Sequence, residues 1–63
     1  MNIAVVDGQG GGIGKAITEK VKKAFPKFNI IALGTNAVAT GQMLKAGADE
    51  GATGENAIIH NMN

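Results

Sequence analysis

Cysteine, tryptophan and tyrosine are absent from this chain, arginine is missing as well, and the two phenylalanines bracket the single proline in Phe25-Pro26-Lys27-Phe28. Without cysteine there are no disulfides and no thiolate metal sites, and the lone His60 cannot build a zinc site by itself. No structural metal is expected. Nucleic-acid binding asks for a basic face and stacking aromatics. Here six lysines face five acids for a formal charge of +1, and both phenylalanines sit at a helix-to-strand junction, so no nucleic-acid partner is expected. The apolar run Ile30 to Leu33 is far too short to span a bilayer, and no charged-then-apolar signal segment opens the chain. The expectation is a cytoplasmic protein with no membrane partner.

What is present is a small α/β pattern. At 63 residues, 44% hydrophobic and 17% charged, the chain holds one domain at most. It lies near the lower limit of independent folding, where about 60% of the unfolded surface is buried. Asn2 to Val6 is a short apolar strand ending at Asp7-Gly8, and its continuous apolar character is that of a strand covered on both faces. Ile13, Ile17, Val21, Ala24 and Phe25 then recur at helical spacing, with Lys15, Glu19, Lys22 and Lys23 between them. Pro26 stops that helix. Phe28 to Leu33 reads as a second covered strand, halted by Gly34. A helix long enough for a crossover joins the two strands, which predicts a parallel pair with the second strand beside the first.

Thr35 or Asn36 caps a second helix running through Val38, Met43 and Leu44 to Lys45, with Gly47 as its left-handed stop. Ala48 to Thr53 holds a very short strand. Thr53 is a cap for a third helix, with Glu55 in its first turn and Ala57-Ile58-Ile59 in its body. The fold class is therefore α/β: a Rossmann-like three-layer parallel sheet, of which residues 1 to 63 form the N-terminal βαβα(β)α portion of a single nucleotide-binding domain.

Five of the ten glycines fall between Gly8 and Gly14, directly after a strand and at the start of a helix. Glycine there permits positive φ and lets a ligand approach the main chain, while unpaired helix-start amides and the helix dipole favour an anion. The spacing is Gly8-x-x-x-Gly12-x-Gly14 and not Gly-x-Gly-x-x-Gly. Gly12-Ile13-Gly14 resembles the turn of short-chain dehydrogenases and reductases. The Walker phosphate loop fails at Gln9, where its first glycine belongs, and at Ala16, where its hydroxyl belongs. Lys15 is a cation in the first helical turn, where the dipole opposes it by about 0.3 to 1 kcal/mol, and an anionic ligand reverses that sign. The competing explanation is a solvated lysine facing Glu19, in the poorer orientation of such a pair.

A dinucleotide site asks for an acid at the end of the second strand, to hold the ribose. Gly34-Thr35-Asn36 occupies that place, with neither the carboxylate of an NAD site nor the arginine of an NADP site. Thr35 and Asn36 can donate to a ribose or its phosphate, although capping is the commoner role. Asp7 can approach a metal or ribose, although an Asp-Gly turn is the commoner role. The candidate cofactor site comprises Asp7, Gly8, Gln9, Gly10, Gly11, Gly12, Ile13, Gly14, Lys15, Gly34, Thr35 and Asn36. No catalytic residue and no metal ligand is assigned. The tyrosine-lysine pair of a short-chain reductase cannot be formed within the chain.

Four segments together, Ile3 to Lys15, Ala32 to Ala37, Lys45 to Ala48 and Gly51 to Ala57, resemble a bacterial family, domain of unknown function 3842, over nearly the whole chain. The resemblance implies a Rossmann-like nucleotide-binding fold and brings no activity with it. Members of that family continue beyond Asn63, which implies an N-terminal piece. The expected ligand is NAD(P) or another nucleotide, its phosphate at the glycine-rich turn. The alternatives are a phosphate-binding module for a mononucleotide or sugar phosphate, and a structural subunit. The expected partners are a phosphorylated small molecule or dinucleotide, and either a homo-oligomer mate or the remainder of a longer chain.

Overall fold

The computed structural model describes residues 1–8 and 12–54. Within them five elements follow one another: β1 (Asn2–Asp7), α1 (Ile13–Ala24), β2 (Asn29–Gly34), α2 (Ala37–Lys45) and β3 (Glu50–Thr53). The three strands form one parallel sheet in the order β1-β2-β3. That order, with a helix in each connection, is the βαβαβ half of a Rossmann-like fold. The expected third helix and third layer lie outside the described residues.

Register decides which side chains meet the helices. Val5 lies opposite Ala32, Ile3 opposite Ile30, and Asp7 opposite Gly34, so these six share one face. Both helices cover that face. Val5, Ile30, Ala32 and Met43 of α2 form its core, with Ile3, Val21 of α1 and Ala48 packed around them. On the other face Leu33 is buried, Ile31 half-buried, and Ala4 and Val6 exposed. The expectation that β1 is covered on both faces is thus corrected among the described residues: Val6 remains 51% exposed, because α1 and α2 pack on the same side.

The apolar spacing of α1 places the helix correctly but misassigns its inner face. The residues turned to the sheet are Gly14 and Thr18, with Val21 half-buried, while Ile13 and Ile17 are 71% and 46% exposed. Thr18 satisfies its own hydroxyl by donating to the Gly14 carbonyl at 2.7 Å. The helix ends as Pro26 requires, and beyond it Phe25 and Phe28 stack with ring centroids 4.9 Å apart. In α2 the cap is Asn36, whose side chain accepts from the Ala39 amide at 2.9 Å. Gly47 follows the helix at φ +120°.

At the amino ends of the strands, Lys22 of α1 pairs with Asp49 at 3.0 Å, and Asp49 Oδ2 also accepts from the Ile30 amide at 2.9 Å. Those donors, the Ile30 amide first and then the Lys22 ammonium, hold the Asp49 carboxyl below its usual range. This clamp joins α1, β2 and the entry to β3. It lies at the end of the sheet away from the glycine turn.

Candidate functional site

The carboxyl ends of β1 and β2 carry the candidate residues. Gln9, Gly10 and Gly11 lie outside the described residues. The remainder divides by what each residue does for the fold, which separates glycines required by packing from glycines that are not.

Gly12 adopts φ +91°, ψ −4° as the residue before α1, and no side chain of its own caps the helix. The cap comes from β1. Asp7, buried on the helix face, accepts from the Gly14 amide at 3.0 Å, as an N-cap side chain ordinarily does for the second helical residue. A carboxylate beside a helix start is also favoured by the dipole. Asp7 thus caps α1 from the end of β1. The approach is so close that a Cβ on Gly14 would lie 2.7 Å from Asp7 Cβ and Oδ2 and 2.9 Å from Met43 Sδ. Gly14 is therefore required by packing of α1 on β1, the role of the last glycine in a dinucleotide turn.

Gly34 is required in the same way, since a Cβ there would overlap Thr40 Oγ1 and the Thr40 amide. Thr40 is buried in α2, and its hydroxyl accepts from Thr53 Oγ1 at 2.9 Å. Thr53 accordingly ends β3 and ties it to α2, and the helix expected after it falls outside the described residues. Thr35 caps nothing. Its hydroxyl donates to the Gly8 carbonyl at 2.7 Å, and its amide donates to the Asp7 carbonyl at 3.1 Å, so the end of β2 holds the start of the glycine turn.

Gly8 differs from the other described glycines of the turn. Its φ is not positive, and a Cβ placed on it meets nothing within 4 Å. Neither backbone strain nor packing among the described residues demands glycine there. Ile13 and Lys15 are exposed in the first turn of α1, and no ion pair joins Lys15 to Glu19. The structure thus brings Asp7, Gly8, Gly12, Ile13, Gly14, Gly34 and Thr35 together around one turn, with Lys15 and Asn36 at the starts of two helices.

Sequence reasoning missed the structural parts played by Thr18, Thr40 and the Lys22–Asp49 clamp. The partners of the last two come from other elements, and no local pattern signals them. Among the described residues no helix is long and apolar enough to cross a membrane.

The model for Domain of unknown function (DUF3842) matches residues 2–63, and the chain belongs to that family. No curated protein and no solved structure matches it.

Proposed function

We propose that this member of the family binds a nucleotide, NAD(P) or another, with a phosphate seated on the turn from Gly8 to Lys15. The observation that carries the reading is Gly8: a glycine that nothing among the described residues requires, held at the carboxyl end of β1 by Thr35. Open backbone at that place lets an anion approach the main chain. The location also agrees with the general rule that parallel α/β sheets bind ligands in the crevice outside the strands' carboxyl ends.

The buried Asp7 carboxylate shapes what the turn can take. It occupies the Gly14 amide, so a phosphate relies on the remaining amides of the first turn and on Lys15, whose charge offsets that of Asp7. Binding in this arrangement depends on the lysine. Calorimetric titration with NAD, NADP, ATP and inorganic phosphate tests the proposal. A saturable heat with one or more of the nucleotides, weakened by Lys15→Ala, supports it. No heat with any of them overturns it.

A further inference from the structure

We infer that Thr35 is a positioning residue of the phosphate turn, fixing the direction of the peptides that open it and so setting the affinity for a phosphate. The inference rests on the nucleotide reading given above. Thr35 follows β2, and its amide and hydroxyl both reach the end of β1. The amide donates to the Asp7 carbonyl at 3.1 Å, and the hydroxyl donates to the Gly8 carbonyl at 2.7 Å. Neither bond serves α2, which Asn36 caps.

Two successive carbonyls thus converge on one residue. In an extended strand successive carbonyls point to opposite sides, so the second of them turns away from the neighbour that the first one meets. Thr35 instead draws the second back toward β2. The chain leaves the sheet at Gly8 in a bend, reached without positive φ.

Peptide direction decides what an anion meets there. In a trans peptide the N–H points opposite the carbonyl, so holding the Asp7 carbonyl toward β2 turns the Gly8 amide away from it. Holding the Gly8 carbonyl beside Thr35 keeps its partial negative charge from facing an anion. Gly8 is exposed, and a Cβ on it would meet nothing within 4 Å among the described residues. The same freedom that admits an anion therefore lets an untethered peptide turn over and present its oxygen. The Thr35 hydroxyl removes that alternative. Its single proton is spent on the Gly8 carbonyl, so Thr35 acts on a phosphate through the turn and not by donating to it.

Calorimetric titration of the full chain with NAD, NADP and ATP, on the parent, Thr35→Val and Thr35→Ser, tests the inference. Thr35→Val keeps the shape of the side chain and removes the donor. With far-UV circular dichroism unchanged, it should weaken every one of the three that binds the parent by about three- to tenfold, the worth of one ordinary hydrogen bond. The factor should be the same for each, because the tether acts on the phosphate and not on the rest of the ligand. Thr35→Ser, which keeps the hydroxyl, should retain most of the parent affinity. In the ligand-free chain the carbonyl carbon resonance of Gly8 should move in Thr35→Val and stay in place in Thr35→Ser. If Thr35→Val impairs folding, Thr35→Ala takes its place. Unchanged affinity without the hydroxyl, or an equal loss in Thr35→Ser, overturns the inference and leaves the nucleotide reading standing. A parent chain that binds none of the three overturns that reading and the inference with it.

Discussion

The Asp7 carboxylate, at the last residue of β1, accepts from the Gly14 amide in the first turn of α1 at 3.0 Å. A helix that lacks a capping side chain of its own is thereby capped from the strand it covers. Removing the acceptor leaves a buried amide unsatisfied, which costs about 1–3 kcal/mol. Asp7→Ala should lower stability by that amount in urea denaturation, and Asp7→Asn, which keeps an acceptor oxygen, by less.

The glycines of the site should separate cleanly on substitution. Gly14→Ala forces a methyl against Asp7 and Met43, an overpacking that costs about 1–3 kcal/mol. Gly34→Ala meets Thr40 and should behave alike. Gly8→Ala meets nothing within 4 Å among the described residues and should leave the urea midpoint close to that of the parent chain.

Thr35→Val removes the hydroxyl that holds the Gly8 carbonyl at 2.7 Å. An ordinary hydrogen bond contributes about 0.5–1.5 kcal/mol, and the exposed setting puts this one at the low end. Hydrogen exchange should rise at the turn and stay unchanged at the Lys22–Asp49 end of the sheet.

Acid should act through that opposite end. The Asp49 carboxyl lies below its ordinary value of 3.8, held there by the Ile30 amide and then by Lys22. Its stabilisation is fully present above that ordinary value and disappears as pH falls through the lower, folded-state value. Stability measured from neutral pH downward should therefore drop in the acid range. Asp49→Asn should flatten that drop, and an unchanged acid limb in Asp49→Asn would show that another group is responsible.

Local signals in the sequence located every described element. The Asn2 to Val6 run, the stop at Pro26, a cap at Thr35 or Asn36, the Gly47 turn and the short strand before Gly54 all fall within a residue or two of their observed places. Their chemistry acts over one to four residues, which a linear pattern records. Which face each element buries was less legible. Ile13 and Ile17 set the period of α1, yet the sheet takes Gly14 and Thr18, because close approach to Asp7 and Met43 favours the absence of a side chain. The Lys22–Asp49 clamp spans 27 residues and depends on the strand order, so no spacing rule finds it. The candidate site was legible as a glycine run, but the division between Gly14, needed for packing, and Gly8, not needed by its described neighbours, required three dimensions.

Whether the turn from Gly8 to Lys15 holds a phosphate is decided by calorimetry on the parent chain, Gly8→Val and Lys15→Ala with a nucleotide that binds the parent. Gly12→Val is a poorer probe, because φ +91° strains a branched residue whether or not a ligand is present. Gly8→Val should abolish or greatly weaken binding while the urea midpoint stays near that of the parent. Lys15→Ala should weaken binding through charge, and the loss should shrink as salt is added. Affinity unchanged in both variants would place the phosphate elsewhere and leave the glycine run as a tight turn alone.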